Sequence, residues 1–285
     1  MKRLHVISIV IIIVACFGQG LAFGQTVQDG IKLLREGQEI EKKAQSRSDL
    51  ERAIRKYEDA LSIFEKVKSE KGKGVALNNI GLVYDNLGQY TKALEYYEKS
   101  LPITRKIGDV KTEGTTLGNI GLVYARQGRY DDAIKLTNQY LEIEKKIGVP
   151  TKGTIDLIAN YYLDAGDLAK AEPLIKETGY NSTLGRLALI KSDYPTAIVK
   201  YAKAAEWAEK TGNADSLFRS YTGLGMAHEG SGNYPEAEKS YEKAVKVTED
   251  IRSSVSPAER RNFFEVKNYG FQRSDPAKGL TRVRM

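Results

Sequence analysis

One pattern recurs along this 285-residue chain and constrains it more than any other feature. It reads Leu77, Ile80, Gly81, Tyr84, Gly88, Tyr90, Ala93, Tyr97, and returns 40 residues later as Leu117, Ile120, Gly121, Tyr124, Gly128, Tyr130, Ala133. A third copy is Tyr221, Leu224, Gly225, His228, Gly232, Tyr234, Ala237, Tyr241. A period of this length marks helix pairs that cannot bury their apolar faces alone and do so by stacking. The expectation is an all-α stack of antiparallel helix pairs whose task is to hold a partner.

Within a copy the apolar residues keep helical spacing. Leu77, Ile80, Tyr84 and Leu87 line a first helix, and Ala93, Leu94, Tyr97 and Leu101 a second, with Gly88 in the turn between them. Gly108, Gly148 and Gly212 follow Lys-rich helix ends, where a glycine closes the last turn. Gly81, Gly121, Gly185 and Gly225 fall inside helices at a cost of about 1 kcal/mol each relative to Ala. That cost implies a neighbouring helix too close for a Cβ, with Ala53, Ala93, Ala133, Ala171, Ala197 and Ala237 at the tight contact and Tyr97, Tyr201 and Tyr241 filling gaps between repeats. The intervals between those alanines shorten between Ala171 and Ala197, which predicts a truncated pair there. In the first copy, Gly37 and Glu41 fall where later copies have Leu and Gly, as expected of a terminal repeat.

These residues resemble the tetratricopeptide repeat, and the 40-residue period with Leu77-Asn78-Asn79-Ile80-Gly81-Leu82-Val83-Tyr84 is similar to the long-repeat variety of kinesin light chains and bacterial peptide-sensing regulators. The resemblance implies a right-handed superhelical solenoid of five to six repeats over residues 26–251. It also implies a protein or peptide ligand in the concave groove lined by the first helices. Asn79 and Asn119 hold the same place before Ile-Gly, and in the long-repeat family such amides hydrogen-bond an extended peptide backbone. Asn78, Asn86, Arg126, Asn160, Arg186 and Arg219 are neighbouring candidates. A second reading of Asn79 and Asn119 stands beside this one, in which they bond adjacent helices to each other. The ladder is short, since Leu157, Thr183 and Gly223 occupy the matching place later.

The first residues do not fit the repeat. Lys2 and Arg3 precede an apolar run from Val6 to Phe17, too short to span a bilayer, which reads as a signal peptide over residues 1–24. Two processing routes are open: cleavage after Gly24, or lipidation of Cys16 in the lipobox-like Ile13-Val14-Ala15-Cys16. Either predicts export, to the periplasm or medium in the first case and to an envelope anchor in the second, with no membrane span after processing. Cys16 is the chain's one cysteine, so cleavage after Gly24 leaves no thiol and no disulfide.

The formal charge of +7 belongs to the ends: the leader brings two basic residues and the tail from Arg252 eight against three acids. The repeats are near neutral, which argues against a nucleic-acid surface. The sequence shows no nucleophile with a His partner, no metal-ligand cluster and no phosphate loop, so neither catalysis nor a cofactor is expected. The tyrosines, Trp207 and His228 are expected to pack. Ser256-Pro257-Ala258-Glu259 is a capping box that starts a short helix carrying Phe263, Phe264 and Val266 within a C-terminal capping segment and basic tail over 252–285. That stretch resembles the linker before CHAT protease domains in bacterial repeat proteins, which implies an alternative role as the sensor half of a split or truncated protease system. The lipobox implies another, a lipid-anchored envelope assembly factor.

Overall fold

The computed structural model describes residues 26–44 and 46–253, and every described element is helical. The helices are α1 (residues 26–42), α2 (Arg47–Lys66), α3 (Glu70–Asn86), α4 (Tyr90–Ile107), α5 (Val110–Arg126), α6 (Tyr130–Ile147), α7 (Lys152–Ala165), α8 (Leu168–Thr178), α9 (Asn181–Ile190), α10 (Tyr194–Thr211), α11 (Ala214–Gly230) and α12 (Tyr234–Ser253). They fall into two compact units that divide between Val123 and Tyr124. The first unit contains the pairs α1–α2 and α3–α4, the second α7–α8, α9–α10 and α11–α12, and α5 and α6 carry the same sequence pattern. The period is explicit in the starts of α4 and α6, Tyr90 and Tyr130, and of α10 and α12, Tyr194 and Tyr234. The leader, Cys16 and the expected capping helix and tail from residue 254 lie outside the described residues.

Local chemistry sets the ends. Ser46, Ser69, Asp167, Asp193 and Asn213 cap their helices by accepting a backbone N–H three residues on, which satisfies one of the orphan donors there. The helices α4, α6 and α10 end on Gly108, Gly148 and Gly212 in the left-handed conformation. The turns within pairs use Gly88 and Gly128 in the same way, and Ser192 takes that role at φ 56° before α10. The shortening expected between Ala171 and Ala197 is present, but it falls on α8, with 11 residues, and α9, with 10, which belong to two successive pairs and not to one truncated pair.

Gly37, Gly81, Gly185, Gly223 and Gly225 inside helices answer to tyrosine rings, not to a neighbouring backbone, while Gly74 meets the Thr104 methyl. A Cβ on Gly81 would lie 2.6 Å from the Tyr97 ring, one on Gly37 2.5 Å from Tyr57, and one on Gly185 2.9 Å from Tyr201. The same ring also serves the next pair, since a Cβ on Gly223 would come within 2.5 Å of Tyr201. The tyrosine therefore fills its own pair as well as the gap to the next. Tyr57 and Tyr97 are fully buried and Tyr201 is 8% exposed. Burial of such a ring contributes roughly 1.5–3 kcal/mol.

This contact corrects the register of the first copy. Gly37, not residue 41, is the equivalent of Gly81, because both meet the tyrosine of the second helix. They stand 20 and 16 residues before Tyr57 and Tyr97, so the first pair carries four extra residues around its turn. Glu41 then corresponds to Asp85. The packing expectation also fails for Trp207, which is 55% exposed on α10 because the inward face of that helix is taken by Ala197, Tyr201, Ala204 and Ala208.

Candidate ligand-binding face

In the first unit the side chains of successive first helices bond to one another. Asn78 Oδ1 accepts from Thr116 Oγ1 at 3.0 Å and from Asn119 Nδ2 at 3.2 Å. Asn78 is 5% exposed and Thr116 fully buried, so this node is closed to solvent except at half-buried Asn119. One step earlier, Asn86 Nδ2 donates to Glu41 Oε1 at 3.2 Å, and Tyr57 Oη donates to Glu41 Oε2 at 2.9 Å. Burial pushes the Glu41 carboxyl above its usual range, opposed by the Tyr57 hydrogen bond. Glu41 had no signal in the sequence as a partner of Asn86, because the shifted register hid their correspondence.

Asn79 stands apart. It is 9% exposed, and its Nδ2 is buried without a hydrogen-bond partner among the described residues. Asn119 reaches 41 residues back to Asn78, one residue more than the repeat. On α3 the same step is 45 residues, as in the Asn86–Glu41 bond, and from Asn79 it lands on Leu34, which has no acceptor.

The second unit builds its node from charge. Asp156 on α7 accepts from Thr183 Oγ1 at 2.9 Å, Thr178 Oγ1 at 3.2 Å and Asn160 Nδ2 at 3.1 Å. Burial raises its pKa, against those three hydrogen bonds and the Lys152 charge. Arg186 on α9 reaches back to α7, giving Nη1 to Asn160 Oδ1 at 3.0 Å and Nη2 to Asp164. The Arg186 and Asp164 side chains are 23% and 27% exposed, so the pair is fixed yet open to water. Such charge-assisted bonds hold a planar guanidinium in one orientation. Beside them Tyr161 Oη is buried without a hydrogen-bond partner among the described residues, on a side chain 4% exposed. Burial pushes its pKa up to about 12, with Arg126 opposing and Asp164 adding to the shift.

The face thus gathers Asn160 and Arg186, with Arg126 close enough to act on Tyr161. Arg219 lies elsewhere on an exposed surface, paired with Asp215 at 2.9 Å, where an ion pair contributes little. Asp156 and Tyr161 were missed by sequence reasoning. The signal was available for Asp156, which stands at the place of Asn78, three residues before the small packing residue of its helix. Among the described residues no group of three His, Cys, Asp or Glu side chains is gathered as a metal site. None of the described helices is long and apolar enough to cross a membrane.

The tetratricopeptide repeat model matches residues 44–106, 73–146 and 177–250, more than half of the chain. The chain belongs to the tetratricopeptide repeat family. Among solved structures this repeat protein is similar to the apo form of the quorum sensor NprR from B. thuringiensis, with a TM-score of 0.58 and 22% identity over 69% of this chain and 60% of NprR. It is similar to the apo form of RapI, with a TM-score of 0.57 and 12% identity over 80% of this chain and 85% of RapI. A third likeness is a Rap protein complexed with Competence and Sporulation Factor, with a TM-score of 0.52 and 13% identity over 70% of this chain and 59% of that protein. The chain spans less than two thirds of the length of NprR and of that Rap protein, and at these identities the likeness concerns the fold. No curated protein matches the chain in sequence.

Proposed function

We propose that this repeat protein is an exported, non-catalytic scaffold that binds an extended peptide or protein segment along its first helices. The observation that carries the reading is the half-buried row on α7 and α9, where Asn160 and Asp164 hold Arg186 in place on a face open to water. Asn160 spends its amide on Asp156 and Arg186, so the remaining N–H groups of Arg186 offer donors and the Asp164 carboxylate offers acceptors to a peptide backbone, with their charges opposed. Their mutual bonds fix the rotamers before a ligand arrives, which reduces the ordering cost of binding. The Rap relative complexed with Competence and Sporulation Factor supports a ligand-binding use of this fold.

A display library of unstructured peptides, panned against the full chain, tests the proposal. Selected peptides lose at least tenfold in affinity for the Arg186→Ala and Asn160→Ala variants if the row is the binding face. Unchanged affinity in both variants contradicts it. Export rests on the leader, Lys2 and Arg3 followed by the Val6–Phe17 run. Mass spectrometry of the secreted or membrane fraction distinguishes a chain beginning at Gln25 from one beginning at acylated Cys16, and an intact Met1 contradicts both.

A further inference from the structure

Two exposed aliphatic side chains stand where the repeat elsewhere places polar ones, and both flank the Arg186 row. Leu157 on α7 holds the place of Asn79 and Asn119 and is 36% exposed. Ile190 on α9 is 38% exposed and holds the place of Asn86, Arg126 and Asp164, because the step that carries Ala171 to Ala197 carries Asp164 to Ile190. Single exposed apolar residues are ordinary on a protein surface. The position of these two sets them apart. Leu157, Asn160 and Asp164 follow at helical intervals on one stripe of α7, and Arg186 and Ile190 do so on α9. The bonds from Arg186 to Asn160 and Asp164 hold the two stripes side by side. One surface results, with a fixed ion pair between two aliphatic side chains.

We propose that this surface selects an extended segment with aliphatic side chains at positions i and i+4, one seated on Leu157 and the other on Ile190. The inference deepens the peptide-binding reading above and rests on it. Its basis is the span between the two side chains. In repeat register Ile190 lies about 10 Å further along the helix axis than Leu157 and one helix across, about 8–10 Å, so the diagonal is about 14 Å. An extended chain rises about 3.3 Å per residue and turns alternate side chains to one face, so residues four apart stand about 13 Å apart and point the same way. A helical ligand needs about nine residues for that span, which is about two and a half turns and puts its second side chain on the opposite face. The residues between the two anchors pass over Arg186 and Asp164, whose remaining donors and acceptors meet their backbone. Hydrophobic contact is non-directional, so the two anchors fix a class of side chain and a spacing, not one sequence.

Panning a displayed library of random peptides against the full chain, with the recovered sequences read for the spacing of aliphatic pairs, tests the inference. Pairs four residues apart are expected at least fivefold above their frequency in the unselected library. Each recovered peptide is expected to bind Leu157→Ser with Ile190→Ser at least tenfold more weakly, and both substitutions sit at exposed positions that the core does not use. Peptides that need Arg186 but show no preferred spacing, or that bind the double variant as tightly as the parent, overturn this inference and leave the binding face standing. Enrichment at seven or eleven residues marks a helical ligand and overturns it as well. Recovery of no peptide, or only of peptides indifferent to Arg186→Ala, overturns the binding face and this inference with it.

Discussion

Asn78 in the first unit and Asp156 in the second stand at the same register, three residues before Gly81 and Ala159, and both accept from the next first helix. Their surroundings differ. Asn78 is 5% exposed, and its oxygen is taken by Thr116 and Asn119, so the amide joins two helices at a closed contact. Asp156 carries charge at a half-buried site and needs two threonines and Asn160 to hold it. At these two positions the same register holds an acceptor, neutral in one unit and charged in the other, while Gly118 on α5 has none. Where the acceptor is neutral the node joins two helices, and where it is ionic the neighbours Asn160, Asp164 and Arg186 form the half-buried row proposed above as the binding face.

Exchanging the two chemistries gives the largest expected effect. Asn78→Asp places a carboxylate in the closed node and lowers stability by about 2–3 kcal/mol at neutral pH, within the cost of an uncompensated buried polar or charged group. Denaturant titration shows the loss growing as pH rises, because the folded state holds the proton more tightly than the unfolded one. A variant as stable as the parent at pH 7 breaks the contrast.

The packing pair at the same register ranks second. Gly81 meets Tyr97, whereas the equivalent residues in the second unit are Ala159 and Ile175, both fully buried. Gly81→Ala drives a Cβ into the Tyr97 ring and costs about 1–2 kcal/mol, the overpacking penalty less the gain in helix propensity. Adding Tyr97→Ile, which copies the second unit, recovers part of that loss in thermal unfolding. Independent, additive effects of the two substitutions contradict the pairing.

Leu34→Asn supplies the acceptor that Asn79 lacks. A double-mutant cycle with Asn79→Ala is expected to show a favourable coupling of about 1 kcal/mol, the worth of one hydrogen bond. Zero coupling removes Leu34 as the residue opposite Asn79.

The smallest effect belongs to Asp156→Asn. The raised pKa means that Asp156 lowers stability as pH rises from the ordinary carboxylate range through its folded value. Neutralising it gains less than about 1 kcal/mol at pH 7, because the group is partly screened by water, and gains nothing at a pH where both states are protonated. A variant less stable than the parent at pH 7 reverses the sign of this argument.

Much of the fold was legible in the sequence. The glycines at turns and helix ends, the period and the shortened α8–α9 region all follow from residue types whose backbone preferences are local. The first register was not legible, because Ala53 keeps its 40-residue spacing from Ala93 while the four extra residues lie before it, around the turn. The rings opposite the glycines were misassigned because spacing reports that a Cβ is excluded and not which atom excludes it. At the candidate site the amides Asn78, Asn119 and Asn160 and the guanidinium of Arg186 were visible. Their pairings were not, because a sequence fixes the helix face of a side chain but not the neighbour it chooses. Asn119 donates its amide to Asn78, and the bonds of Asn86 to Glu41 and of Thr183 to Asp156 emerged only when adjacent first helices were placed side by side.

The division of labour between the two nodes is tested most directly by comparing Arg186→Ala with Asn78→Ala, measuring both melting temperature and the affinity of a panned peptide per folded molecule. The account predicts a crossed result: Arg186→Ala loses at least tenfold in affinity with little change in melting temperature, and Asn78→Ala melts several degrees lower with affinity retained. An Asn78→Ala variant that keeps its stability and loses the peptide, beside an Arg186→Ala variant that still binds it, would contradict the assignment.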